Sequence, residues 1–94
     1  MFFGLLKIQG HSMEPTIPHN STVLVSSILN IFQNPKKGTV VAFKKSNKIF
    51  IKRVKDAKNN RYFFVGDNQK DSLDSRKIGW ISKKDILGRV LYVF

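Results

Sequence analysis

In "KIFIKRV", Lys48 to Val54, apolar and basic side chains are interleaved through a run rich in β-branched and aromatic residues. Read as a strand, the run places successive side chains on opposite faces. Ile49, Ile51 and Arg53 then share one face, and Phe50, Lys52 and Val54 share the other. Lys52 is flanked on its own face by Phe50 and Val54. Such a lysine is either an edge residue whose stem lies over apolar surface with its ammonium in water, or an amine drawn out of solvent. The difference is chemical, because burial disfavours the ammonium form and lowers its pKa.

Runs of the same kind recur along the chain. They are "LLKIQ" (Leu5 to Gln9), "TVLVS" (Thr22 to Ser26), "TVVAFK" (Thr39 to Lys44), "RYFFV" (Arg61 to Val65) and "GRVLYV" (Gly88 to Val93). Turn-forming clusters bound them: "PHNS", "NPKKG", "KSN", "DAKNN" and "GDNQKDS". Closely spaced short strands predict a mostly β chain, folded as a compact, coiled and barrel-like sheet. At most one or two short helical turns are expected. "SSILNIF" could form one or extend a strand, and "SKKD", Ser82 to Asp85, has the shape of a capping box. No repeat, low-complexity tract or linker interrupts the 94 residues, so residues 1–94 are expected to form one domain.

Composition narrows the chemistry. Hydrophobic residues make up 41% and aromatics 12%, which argues against disorder. Cysteine is absent, which excludes disulfides, thiol nucleophiles and thiolate metal sites. His11 and His19 stand alone without a carboxylate cluster, so neither a metal nor any other cofactor is expected. The net charge of +11 would suit a nucleic-acid or anionic-membrane surface. The lysines are scattered through turns instead of forming a block, which fits a lysine-rich composition equally well. The apolar run in "MFFGLLKIQG" is broken at Gly4 and ends at Lys7, far short of the roughly 20 residues a spanning helix needs. No signal peptide is recognisable either, so a cytoplasmic protein is expected, with peripheral membrane contact through the apolar N-terminus as the alternative.

The stretch "GHSMEPT", Gly10 to Thr16, sets a serine between a histidine and a methionine. A serine hydroxyl becomes a nucleophile only beside a base. His11 is adjacent in sequence, but neighbours on an extended chain point apart, so it is poorly placed to take the Ser12 proton. A lysine is the other option. A free lysine, with a pKa of about 10.4, is neutral about once in a thousand at neutral pH. An amine moved to a pKa of about 8 costs the fold roughly 3 kcal/mol, which apolar neighbours and surrounding positive charge can impose. The polar stretch "GDNQKDSLDSR", Gly66 to Arg76, is either a solvated loop or a scaffold of ion pairs with a hydroxyl beside the site. The spacing of a calcium loop is missing.

Taken together, these segments resemble the signal peptidase I superfamily of Ser/Lys proteases. "GHSMEPT" is similar to its nucleophile box, and "PKKGTVVAF" to its P-x-x-G-D-[VI]-V strand, with Thr39 where the acid usually stands. "IKRV" is similar to its general-base box, "GDNQKDSLDSR" with the following "GW" to its GDN box, and "ILGRV" to its closing strand. The order is kept from about Gly10 to Val90. The resemblance implies Ser12 as nucleophile, Lys52 as general base and the Ser12 N–H as part of the oxyanion hole. Some members add a serine hydroxyl two residues before the nucleophile; here that position is Gly10, so the donor is absent or replaced by backbone. Ser72 would orient the Lys52 amine, Asp67 with Arg53 and Asp74 with Arg76 would be structural pairs, and Met13 and Pro15 would shape the turn and the substrate cleft.

Ordinary signal peptidases begin with a membrane anchor, and many carry a long insertion between the base box and the GDN box. Here no anchor is recognisable, and only 13 residues separate Lys52 from Gly66. These departures make the chain most similar to the nickel-type superoxide dismutase maturation proteases. The resemblance then implies removal of an N-terminal extension from the dismutase precursor, whose new N-terminus becomes part of the nickel site. A minimal signal peptidase acting on exported precursors is the alternative within the class. A non-enzymatic nucleic-acid-binding β barrel, with Phe43, Phe50, Tyr62, Phe63 and Phe64 as stacking faces, is a different class. The self-cleaving domain of SOS-type repressors uses the same dyad, but usually comes with a DNA-binding domain and cleavable linker for which this chain is expected to have no room.

Overall fold

Two asparagine-rich turns organise the middle of the chain. Ser46 and Asn47 have φ of 52° and 62°, and Asn59 and Asn60 have φ of 51° and 61°. Left-handed conformation at both central residues is what a two-residue hairpin loop requires, and asparagine tolerates it best after glycine. The computed structural model, which describes residues 3–28, 34–68 and 79–94, accordingly shows a tight meander here. Its strands are β3 (Val40–Lys45), β4 (Lys48–Lys58) and β5 (Arg61–Val65). The sheet is completed by β1 (Phe3–Lys7), β2 (Thr22–Ser26), β6 (Ile81–Ser82) and β7 (Ile86–Val93).

All pairings are antiparallel, in the order β1-β2-β7-β3-β4-β5-β6. The last strand is thus the seam: β7 lies between the β1–β2 hairpin and the meander. The mostly β expectation holds, but the sheet stays open, because β1 and β6 do not meet and β6 is only two residues long. Strand limits also differ from the sequence reading. β1 ends at Lys7, because the chain then turns into the Gly10 bend. β4 runs on through Lys58, because the Asn59–Asn60 turn consumes only two residues and leaves "DAK" to the ladder. A register shift between Val54 and Asp56 separates the stretch of β4 paired mainly to β3 from the stretch paired to β5. The "SKKD" turn is a 3-10 turn at Lys83–Asp85, without the side-chain hydrogen bond a capping box would make. Most of "SSILNIF" lies outside the described residues.

Alternation builds two cores on the sheet. Ala42 packs with Ile8, Met13, Ile17, Val23 and Val25. Its neighbours Val41 and Phe43 point the other way and pack with Val54, Tyr62, Phe64 and Ile81. Full burial of each such side chain contributes about 1.5–3 kcal/mol. The ring of Phe43 lies between Phe64, at 4.5 Å, and Phe50, at 5.4 Å. Phe43, Tyr62 and Phe64 are therefore core residues with almost no exposed surface, and three of the five rings offered as a nucleic-acid stacking face cannot reach a base.

Gly88 of β7, opposite Ala42 of β3, lies tight against the end of β2. A Cβ at Gly88 would lie 2.6 Å from the carbonyl carbon and oxygen of Ser26, both of them backbone atoms of β2. Gly88→Ala should therefore push the seam apart and destabilise the protein by about 2 kcal/mol, the usual scale of overpacking. For a chain of this size the melting temperature should drop by roughly 8–16 °C. Thermal denaturation followed by circular dichroism measures this, and an unchanged melting temperature would mean β2 and β7 are not held this close.

Candidate active site

Ser12 sits in the connection between β1 and β2. The base of that connection is closed by Ile8 N–H donating to the Ser21 carbonyl at 2.8 Å and by Asn20 N–H donating to the Ile8 carbonyl at 2.9 Å. Inside it, Glu14 N–H donates to the His11 carbonyl and Ile17 N–H to the Met13 carbonyl. Met13 and Ile17 are almost fully buried and anchor the turn in the core. Gly10 enters the turn at φ +96°, where a side chain would be strained. Its N–H donates to His19 Nδ1 at 2.8 Å. That donor is therefore engaged inside the turn, and is not a backbone substitute for the missing hydroxyl.

The GDN segment clamps the turn. Asn68 N–H donates to the Ser12 carbonyl at 2.8 Å, and the Asn68 amide nitrogen donates to the His11 carbonyl at 3.1 Å. Asp67 N–H points at Met13 Sδ, at 3.4 Å. The Asp67 carboxylate in turn accepts from Arg53 Nε and Nη2, each at 2.8 Å, and from the Thr16 hydroxyl. The remaining arm of Arg53 donates to the Gly38 carbonyl at 2.8 Å. One guanidinium thus ties β4 to the "PKKG" turn and to the segment that holds Ser12. The Arg53 hydrogen bonds hold the Asp67 carboxyl below the usual carboxylate range, against the opposing effect of burial, and the same contact raises the Arg53 pKa.

Lys52 projects from the opposite face of β4, across from Val41 of β3. It is only 3% exposed, so it is a buried amine and not an edge lysine with its head in water. Ser12, Met13 and Lys52 line one cavity of about 300 Å³ with Phe50, and the walls are Leu6–Gln9 on one side and Ile49–Lys52 on the other. Pro15, expected to shape the cleft, is exposed and outside that lining, because the buried Met13 takes the inward position of the turn. Gly10, Arg53 and Asp67 stand behind the cavity wall and hold it. Ser72, Asp74 and Arg76 lie outside the described residues.

His11 turns to Glu14, with Nδ1 2.9 Å from Oε1. Among the described residues no three His, Asp or Glu side chains converge as a metal site would require. The sequence reading gave no role to Asn68, Thr16, Glu14 or His19. Asn68 and Thr16 stand inside the quoted "GDN" and "GHSMEPT" stretches, but their contacts join segments some fifty residues apart, which local pattern does not encode.

A protein-family model described as Peptidase S24-like matches residues 3–91. A signal peptidase I of Bacillus amyloliquefaciens is 24% identical over 140 aligned positions, covering 98% of this chain and 76% of that protein. The alignment is longer than the 94-residue chain, so this relative carries stretches with no counterpart here. A signal peptidase I of Buchnera aphidicola is 40% identical over 35 residues, covering 37% of this chain and 11% of that protein. Among the described residues no helix is long and apolar enough to cross a membrane.

The lowered Asp67 pKa has a stability consequence. A carboxyl held lower in the folded state than in the unfolded one stabilises the fold above its unfolded pKa, and that contribution disappears as pH falls through the folded value. Asp67→Asn should cost about 2 kcal/mol at neutral pH, since it removes a charge-assisted pair and leaves Arg53 unbalanced. The loss should shrink on acidification below the ordinary carboxylate range. Urea denaturation of both proteins from pH 7 down to pH 3 tests this; a stability difference independent of pH would mean the pair contributes packing and not charge.

Proposed function

The chain belongs to the Peptidase S24-like family, and from that premise we propose that it is a serine endopeptidase with Ser12 as nucleophile and Lys52 as general base. The observation that carries the reading is the shared cavity: a turn serine and a buried lysine, delivered by two different elements, line the same space. Burial among Phe50, Val54 and Val41 favours the neutral amine. A neutral Lys52 accepts the Ser12 proton as Oγ attacks the scissile carbonyl. The oxyanion that forms is stabilised by the Ser12 N–H. Lys52 then gives its proton to the departing amine, leaving an acyl-serine. Water, losing a proton to the same amine, attacks the acyl carbon; the acyl–Oγ bond then breaks, Lys52 returns that proton to Ser12 Oγ, and the carboxyl product leaves.

The cavity suits an extended peptide. Among the described residues β1 is an edge of the sheet, paired to β2. The stretch of β4 from Lys48 to Lys52 is paired to β3, but its β5 register begins only at Arg53. Among the described residues these two strand edges carry no further strand, and a substrate strand can add there through main-chain hydrogen bonds.

The substrate we propose is a precursor of nickel-type superoxide dismutase, cut once in the cytoplasm to expose a new N-terminus. The compact link between Lys52 and the GDN box supports this, since the β4–β5 hairpin fills it with no inserted subdomain. The net charge of +11 favours an acidic or neutral precursor through faster encounter, so cleavage should slow as salt rises. The second reading, a minimal signal peptidase acting on exported precursors, is favoured by the two relatives named signal peptidase I.

Ser12→Ala, Lys52→Ala and Lys52→Arg should each lower kcat on the order of 10⁴-fold or more, the last because a guanidinium cannot act as base. His11→Ala should retain substantial activity. The rate should rise with pH along one ionisation below that of free lysine; a profile still climbing beyond about pH 10 would contradict a desolvated base. Near-parent cleavage by any of the three dyad variants would overturn the mechanism.

Mass spectrometry of the purified enzyme mixed with a nickel superoxide dismutase precursor, and separately with a secretory precursor, decides the substrate. A single cut in the first alone is expected. An intact dismutase precursor beside a processed secretory one would move the assignment to the signal peptidase reading.

A further inference from the structure

The serine turn is braced by a group that the protease chemistry leaves unused: His11, Glu14 and His19. Gly10 N–H donates to His19 Nδ1 at 2.8 Å, so this nitrogen carries a lone pair, and the neutral ring bears its proton on Nε2. Glu14 Oε2 accepts the backbone N–H of His19 at 3.2 Å, while Oε1 faces His11 Nδ1 at 2.9 Å. The two imidazole rings are 4.9 Å apart. His19 and Glu14 thereby connect the arm that leads into Ser12 with the arm that leads out. Gly10 stands two residues before Ser12 and has no side chain of its own to pin it, so its N–H bond is a direct hold on the position of the nucleophile.

We propose that His19 is a positioning residue for Ser12, which holds the turn only while its imidazole is neutral. Protonation converts Nδ1 from acceptor to donor and sets it against the Gly10 N–H, which then loses its partner. Among the described residues Glu14 is the carboxylate seen to face the two rings, and its pKa is lowered first by the hydrogen bond to His11 and next by the His19 backbone N–H. The His11 ring is a neighbour of this carboxylate, 4.9 Å from the His19 ring. Across the turn, the Asp67 carboxylate is bound to Arg53 and Thr16. On β1, Lys7 is exposed and pairs with Thr22. Acid therefore releases the Gly10 arm and displaces Ser12. The kinetic side of this inference rests on Ser12 being the nucleophile; the hold of His19 on Gly10 does not.

A lysine base alone makes cleavage fall tenfold per pH unit on the acid side, and the second ionisation steepens the fall toward a hundredfold per unit. The test compares kcat/KM against pH for the parent, His19→Ala and His19→Asn. The asparagine Oδ1 can accept from Gly10 but does not titrate. His19→Ala should lose at least tenfold, chiefly in kcat, where the parent imidazole is neutral, and the gap should close as acid protonates it. His19→Asn should restore most of that loss, and its acid limb should stay at tenfold per unit. In ¹⁵N NMR of the parent, the Gly10 and Ser12 amides should titrate together with the His19 ring, and in His19→Asn they should not. A Gly10 amide indifferent to His19 ionisation overturns the inference whichever residue is the nucleophile. Equal acid limbs in parent and His19→Asn, with Ser12→Ala inactive, overturn the kinetic role. If Ser12→Ala remains active, the active-site reading fails, and the Gly10 titration alone decides whether His19 holds the turn.

Discussion

The ion pair between Arg53 and Asp67 is the contact on which the arrangement of the site depends. Its two parallel 2.8 Å hydrogen bonds fix the carboxylate in both distance and plane, which a lysine at the same place could not do. From this one joint the order spreads outward. Asp67 reaches Thr16, its neighbour Asn68 holds the carbonyls of His11 and Ser12, and the third arm of Arg53 fastens the Gly38 turn. Three segments distant in sequence are thus held in one frame by a pair only partly open to solvent. Screening is weaker there than at the surface, so the pair counts for more than an exposed salt bridge would.

A single strand performs two opposite tasks because β-structure alternates. Arg53 needs a wet, polar surface where its charge can be matched. Lys52, next to it, is almost sealed from water. Adjacent residues on β4 reach these two environments with no change of backbone conformation, since successive side chains leave the strand on opposite faces. The offset of β5, which joins the ladder at Arg53, leaves the preceding β4 backbone without a β5 partner beside the cavity. The strand that carries the buried amine therefore also offers an edge on which an extended chain could lie.

The alternation in Lys48–Val54 was legible, and so was the face that Lys52 shares with Phe50 and Val54. The strands at Thr22–Ser26 and Arg61–Val65 were legible to the residue, being short β-branched or aromatic runs between clear turn signals. The end of β4 was not, because "DAK" has poor strand character and is held in the ladder by the Asn59–Asn60 turn beyond it. Openness of the sheet was not legible either, since closure depends on whether two edges meet in space. The aromatic residues of β3 and β5 misled for a related reason: a ring that could stack on a base and a ring that fills a core read alike in sequence.

What the sequence by itself determined is local. Period-two alternation sets which side chains share a face, the Ser46–Asn47 and Asn59–Asn60 turns set the two hairpins, and the absence of cysteine excludes thiol chemistry. The order of the motifs also pointed to the peptidase superfamily before any contact was seen. Tertiary structure alone decided which of these pieces meet. The burial of Lys52, its sharing of a cavity with Ser12 and the clamp of Asn68 on the serine turn all depend on long-range packing and on strand register. So does the use of the Gly10 N–H on His19, a bond across nine residues that exists because the turn folds back on itself. The physical reason is that propensity and pattern act over a few neighbouring residues, whereas desolvation and hydrogen-bond partners are properties of whatever the closed chain brings alongside.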